Sequence, residues 1–423
     1  MAALGAIPAD ALSDFVVVGE LNLDGTIAAI SGALPAAIGA NALGKGLICP
    51  AESGAEAAWA GADVDILAPR SLIALANHFR RTQVLSRPEA SIRANAANLP
   101  DLAEIKGQES AKRALEVAAA GGGHNLLMVG PPGSGKSMLA ARLPSILPPL
   151  SAAELLEVSM VHSIAGQLSG GKLSDRRPFR TPHHSATMAA LVGGGLRARP
   201  GEASLAHHGV LFLDEFPEFT PQALDALRQP LEGGECVIAR ANHRVSYPAK
   251  FQLIAAMNPC RCGMAGEPGH TCARGPRCMS DYQARISGPL MDRIDIRIDV
   301  PAVSAADLIR PMAAETRADV ARRVARARAI QQERFENAGA KGIGTNARCS
   351  TAMIEKMAEP DAPGLQLLRD AAEKMKFSAR GYHRVLKVAR TLADLDGKPT
   401  VGRIHLAEAI SCRIAGERLT AAA

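Results

Sequence analysis

The sequence predicts an α/β fold built on a doubly wound parallel sheet, followed by an all-helical C-terminal region. Leu126–Val129, Val210–Leu213 and Leu253–Met257 are short continuous apolar runs, the pattern of strands buried on both faces of a parallel sheet. Helical patterns at Gln108–Ala120 and Met138–Leu147 alternate with them, the order of a sheet that takes ligands at its strand C-termini. Beyond about Ser304 strand signals almost vanish, and an Arg/Ala helix over Ala321–Arg334, apolar along Val320, Val324 and Ala327, leads further helices.

The 423 residues allow two or three domains at roughly 150 residues each. Residues 1–86 read as a small α/β unit: strands at Val16–Val18, Leu21–Gly25 and Leu47–Cys49, helices at Ala36–Ala42 and Ser71–Arg80. Residues 87–100 are an Ala-, Asn- and Pro-rich linker, 101–303 carry the chemistry, and 304–423 form a helical lid. With 47% hydrophobic and 21% charged residues the chain is not disordered. It has no apolar run long enough to span a bilayer, and Met1–Asp10 lacks the basic and apolar regions of a signal peptide, so a cytoplasmic location is expected. Aromatics at 3% exclude an extended base-stacking platform. A net charge of +6, carried mostly by Arg, hints at an anionic partner.

Gly130-Pro131-Pro132-Gly133-Ser134-Gly135-Lys136-Ser137 matches the phosphate-loop pattern in full, between a buried strand and a helix. The glycines let the backbone wrap with its N–H groups inward, Lys136 reaches the β- and γ-phosphates of ATP, and the Ser137 hydroxyl ligates Mg²⁺. Asp214 and Glu215 close the next buried strand: Asp214 would hold Mg²⁺ and Glu215 would act as general base on the attacking water. Asn258, ending the third strand, could orient that water; a turn-forming Asn before Pro259 is the plainer alternative.

Further stretches narrow the reading: Pro178–Ser185 leading to Leu191–Gly195, Pro200-Gly201-Glu202 running through Ser204–His207, and Ser287–Asp295. With the order Gly130–Ser137, Asp214-Glu215, Asn258, they make the chain resemble the AAA+ ATPases and, among them, the Mg-chelatase-like ComM/YifB family, over essentially its whole length. That family belongs to the helix-2-insert group, with the MCM helicases and the magnesium chelatase I subunit. The resemblance implies a hexameric ring helicase using ATP and Mg²⁺ for DNA branch migration in natural transformation and recombination. It implies that Arg293 is an arginine finger directed at a neighbouring subunit's γ-phosphate, a surface ion pair with Asp292 or Asp295 being the alternative. Ser378–Arg384 matches the lid's sensor-2 motif, with Arg380 as nucleotide-contacting residue and Arg384 in reserve. The segment between Val158 and Gly195 would be the helix-2 insert, carrying Lys172, Arg176, Arg177 and Arg180. Val237–Arg240 and Arg244–Tyr247 read as a hairpin, the group's pre-sensor-1 hairpin. Its basic tip, Arg240, His243 and Arg244, would join Lys172, Arg176 and Arg177 in gripping DNA phosphates without reading sequence.

Residues 1–86 resemble the second half of a Lon-protease-like domain, through Gly19–Gly25 and Leu47–Ala51. The first half is not present, as expected of a misassigned start or a truncated chain. Leu34 stands where the catalytic Lys of such a protease would be, so proteolysis is not expected.

Of eight cysteines, Cys49, Cys236, Cys349 and Cys412 stand apart and read as small buried hydrophobes. Cys260, Cys262, Cys272 and Cys278 cluster in one Gly/Pro-rich loop and could bind Zn²⁺ tetrahedrally; the C-x-C spacing is tighter than usual, and reduced or redox-sensitive thiols are the alternatives. Three functions stay open at this stage: a motor on branched or single-stranded DNA, a chelatase subunit driving metal insertion into a porphyrin, and a remodeller of protein clients.

Overall fold

The computed structural model describes all residues except 9, 93–98, 196, 241–242, 266–271, 273–274, 276, 305–306, 308, 310–314, 341 and 415–423, and gives backbone alone at 4, 169, 240, 243 and 414. The chain divides into two compact units. One comprises residues 1–97, 150–176 and 195–200; the other comprises 98–149, 177–194 and 201–423.

In the first unit, β1 (Phe15–Val17), β4 (Gly46–Ile48) and β5 (Ile66–Leu67) form a parallel sheet in the order β1-β4-β5. β2 (Glu20–Leu21) and β3 (Ile27–Ala28) form a separate hairpin. The expected strand over Leu21–Gly25 breaks after Leu21 because the Asp24 carboxylate accepts from the Thr26 N–H (2.9 Å) and hydroxyl (2.6 Å), folding the backbone into a turn. The first helix starts at Ala33, earlier than the pattern suggested, since Pro35 is tolerated in a first turn. A further helix, Ala152–Ile164, joins this unit from the middle of the chain, opened by a capping box between Ser151 and Glu154. Buried Glu56 ties it in: its carboxylate accepts from the Leu34 N–H (3.0 Å) and from the Ser163 hydroxyl.

The second unit holds a five-stranded parallel sheet in the order β12-β6-β11-β8-β7. Its strands are β6 (Leu126–Val129), β7 (Phe179–Arg180), β8 (Val210–Leu213), β11 (Gln252–Met257) and β12 (Ile296–Asp299). The sequence reading found the three central strands and missed both edges. β7 has only two residues, and β12 alternates Ile with Arg297 and Asp299, so neither is a continuous apolar run. Alternation divides the side chains between two cores: Leu126, Met128, Phe212 and Ile254 face one, Leu127, Val129, Leu213 and Ala255 the other. The helix after the phosphate loop is shorter than expected, Lys136–Arg142, because Pro144 tightens the chain into a 3₁₀ turn. β9 (Glu235–Arg240) and β10 (His243–Pro248) form the antiparallel hairpin, with Arg240 opposite His243.

The C-terminal part is helical: Arg317–Asn337, Thr351–Met357, Ala362–Lys374, Ala379–Leu395 and Arg403–Ile414. The long helix begins before Ala321 because Thr316 caps it, accepting from the Asp319 N–H. Three lid segments meet on Asp394, which has no exposed surface and accepts from Arg390 (3.1 Å), from Arg334 and from Asn346 (2.8 Å). Arg390 is itself 1% exposed. Asp394→Ala is therefore expected to leave a buried, unpaired guanidinium and to cost about 3–5 kcal/mol, read as a lowered urea midpoint.

Candidate functional site

The phosphate loop leaves β6 at Gly130, beside the C-terminal end of β12. A Cβ on Gly130 would lie 2.0 Å from the Val300 carbonyl oxygen, so only glycine lets the loop start there. Gly133 and Gly135 have φ of +78° and +90°, with open space where a Cβ would point; their need for glycine is conformational. The Lys136 ammonium is folded into the loop, donating to the carbonyls of Gly130 (2.7 Å) and Pro131 (2.8 Å) and lying 3.3 Å from Asn258 Oδ1. Burial pulls its pKa below the ordinary lysine range, and the Asp214 charge opposes that.

The Ser137 hydroxyl donates to Asp214 Oδ2 at 2.6 Å, so an alcohol oxygen and a carboxylate stand together at the helix start. This hard-oxygen pair fits a divalent cation such as Mg²⁺. Glu215 adopts the left-handed region, φ +49°, ψ +45°, an unusual conformation for glutamate that is found preferentially at functional sites. Its N–H donates to Asp214 Oδ1 (2.9 Å).

The sequence reading gave no role to His184. Its Nδ1 lies 2.9 Å from Glu215 Oε2, and its ring packs against that of His183 at a centroid distance of 4.1 Å. β7 delivers it: that strand pairs with β8 in parallel, so the residues following β7 emerge beside those following β8. Arg180, in β7, grips Glu202 through two hydrogen bonds (2.7 and 2.8 Å) and anchors the segment. The signal was the histidine pair in Pro182-His183-His184-Ser185, quoted for its family likeness alone.

Arg293 and Arg380 sit at the other end of the sheet. Asn125, just before β6, donates its side-chain amide to the Arg293 carbonyl (2.8 Å), and its N–H donates to Asp295 (2.7 Å). Arg384 pairs with that same Asp295. Burial pushes the Asp295 carboxyl upward, but Arg384, His124 and the Asn125 N–H outweigh it and hold it below the usual carboxylate range. The four residues of β6 separate this end from Gly130, about 13 Å of strand. Arg380 stands at this end as well, its guanidinium 3.5 Å from the Glu232 carboxylate. Arg293 pairs with neither Asp292 nor Asp295. Its side chain is 5% exposed and bonds Glu232, which Arg380 also approaches at 3.5 Å.

Among the basic residues assigned to DNA, Lys172 and Arg244 are exposed and Arg176 is half-buried. The side chains of Arg240 and His243 lie outside the described residues, as do Ala241 and Asn242 at the hairpin tip. Arg177 is half-buried, and its guanidinium donates to the carbonyls of Pro148 (2.7 Å) and His208 (2.8 Å). The four clustered cysteines do converge: Cys260 and Cys262 sulfurs are 2.9 Å apart and those of Cys262 and Cys272 3.2 Å. Among the described residues no helix is long and apolar enough to cross a membrane.

Residues 101–308 match the family model described as magnesium chelatase, subunit ChlI, and 314–413 match that of the ChlI C-terminal domain. Competence protein ComM of Haemophilus influenzae is 40% identical over 98% of this chain and 80% of its own length. The protein YifB of Escherichia coli is 38% identical over 98% of the chain and 80% of its own length. The magnesium-chelatase 38 kDa subunit of Rhodobacter capsulatus is more distant, 27% identical over 71% of the chain and 83% of its own length.

The two kinds of glycine in the loop should behave differently. Gly133→Ala is expected to cost only the strain of a left-handed alanine, about 1–2 kcal/mol. Gly130→Ala carries no such strain but must push the loop off the end of β12, and should lower the thermal unfolding temperature further; the pair of melting curves checks this.

Proposed function

The chain belongs to the Mg-chelatase-like AAA+ ATPases of the ComM/YifB family, and from that premise we propose that it is an ATP-driven ring motor acting on DNA, a branch-migration helicase. The observation that carries the ring is the separation of the two halves of the site. Lys136, Ser137, Asp214, Glu215 and Asn258 gather at the C-terminal end of the sheet, while Arg293 and Arg380 gather at the N-terminal end. Each chain then offers a phosphate cradle on one side and arginines on the other, and head-to-tail neighbours complete one another.

In this reading the loop N–H groups and Lys136 bind the phosphates of ATP, and Ser137 and Asp214 hold Mg²⁺. The metal, when bound, neutralises phosphate charge. Glu215 takes the proton from the attacking water, His184 fixes the direction of its carboxylate, and Asn258 orients the water. Arg293 leaves Glu232 to meet the neighbour's γ-phosphate, and Arg380 joins it from the lid. A Zn²⁺ ion at Cys260, Cys262, Cys272 and Cys278 belongs to the same reading.

The printed name of the Haemophilus relative, a competence protein, supports DNA as the partner, as does the basic composition of the hairpin. The chelatase reading rests on the more distant relative. Residues 1–86 are read, by the likeness given above, as Lon-protease-like. The ring is taken to be a hexamer, by the family likeness.

Forked DNA should raise the ATPase rate, and the assembled protein should displace a labelled strand from a three-stranded junction. No stimulation and no displacement would sink the motor. Lys136→Ala should lose nucleotide binding. Glu215→Gln should bind ATP but hydrolyse it about 10²–10⁴-fold more slowly, and His184→Ala should lower kcat with nucleotide affinity unchanged. Arg293→Ala should assemble yet lose about 10³-fold or more in turnover, and should poison wild-type rings on mixing.

A further inference from the structure

The segment after β11 has little to hold it. Among the described residues 259–281 the buried ones are Pro259, Cys260 and Gly263, and no large apolar side chain anchors the stretch. It nevertheless lies against the phosphate site at two points. Gly263 has φ +87°, and a Cβ there would fall 2.7 Å from Pro132 Cγ, so the backbone of the cysteine knuckle rests directly on the phosphate loop. Two residues before Cys260, Asn258 Oδ1 stands 3.3 Å from the Lys136 ammonium.

The other end of the segment reaches the general-base side. Cys278 is the second residue of helix Arg277–Gln283. That helix carries Tyr282, which is buried and whose phenol is pushed up by that burial and by the nearby Glu218 charge, and Gln283, whose amide lies 3.5 Å from the Pro259 carbonyl. Glu218 also receives Arg285 at 3.0 Å, and its N–H donates to the Glu215 carbonyl at 2.7 Å. Between these ends stand the sulfurs: those of Cys260, Cys272 and Cys278 lie within 4.8 Å of one another, and Cys262 is 2.9 Å from Cys260. Zinc bonds of about 2.3 Å in a tetrahedron set neighbouring sulfurs about 3.8 Å apart, within the range these four span.

We propose that zinc at these four cysteines is a positioning element for ATP: it clamps the knuckle that buttresses Pro132 and ties Asn258 on one side to the Glu215–Glu218 turn on the other. This rests on the zinc reading above. Removing the metal frees a segment whose described residues build no core of their own, and the loop that must cradle the phosphates loses its outer wall. The same arrangement makes nucleotide binding sensitive to agents that strip or oxidise thiolates.

The test uses the full chain, with zinc measured by mass spectrometry and nucleotide affinity by a fluorescent ATP analogue, without hydrolysis. The expected results are one zinc per chain, an affinity weakened about tenfold or more when a mercurial and a chelator withdraw the metal, and recovery when excess thiol displaces the mercurial and zinc is returned, but not with thiol and chelator alone. Cobalt in its place should give the charge-transfer and d–d bands of a tetrahedral thiolate site. Gly263→Val retains all four cysteines and should keep its zinc yet show the same loss of affinity, which covers the case in which the metal-free protein unfolds. Equal affinity with and without zinc, or in Gly263→Val, overturns the positioning role and leaves the zinc reading standing. Protein with no zinc before or after reconstitution overturns both.

Discussion

The functional layout depends on one constraint, the complete burial of β6 in the middle of a parallel sheet. Leu126–Val129 has neighbours on both edges and a hydrophobic core on each face, so the chain can reach solvent only at the two ends of the strand. Parallel neighbours make those ends unlike. At one, the strand carboxyl ends deliver Gly130, Asp214 and Asn258 to a common point. At the other, Asn125 collects Asp295, the Arg293 carbonyl and the Leu253 N–H with its own backbone and side chain. The phosphate loop and the arginines are thereby held apart by a rigid spacer, and on the ring proposed above a second copy would bring them together.

Glu232 gains meaning from that geometry. It is the carboxylate that both Arg293 and Arg380 approach within one chain. A guanidinium that must later meet a phosphate is kept paired until then, as a buried charge requires. On the proposed ring, exchanging Glu232 for a neighbour's phosphate would couple the arrival of the one to the release of the other, and Glu232 sits in the helix that leads into β9 and the hairpin. A signal at the shared site therefore has a short covalent route to the segment proposed to touch DNA.

Much of the fold was legible in the sequence. The central strands of the large sheet are continuous apolar runs, and the phosphate loop is a complete pattern whose spacing encodes a backbone conformation. β7 and β12 were not legible, because a two-residue strand has no periodicity and an edge strand tolerates Arg297 and Asp299. Lys136, Ser137, Asp214 and Asn258 converge as local strand–loop reasoning implies. His184 and Glu232 escaped, since each acquires its partner through strand order or lid packing that no spacing records. The carbonyl partners of Arg177, at Pro148 and His208, were equally hidden, since loop packing leaves no trace in a run of basic residues.

The placement of helix Ala152–Ile164 bears on how the protein comes into being. Besides the Leu34 N–H, the buried Glu56 carboxylate accepts from Ser163, about a hundred residues further along the chain. As the polypeptide leaves the ribosome, its first unit therefore cannot close until the phosphate loop and its helix have already been synthesised. The two units are interleaved in sequence, and a single cut in the linker does not separate them into independent folding pieces. Birth order thus commits the chain to assembling its amino-terminal unit around a segment borrowed from the ATPase region.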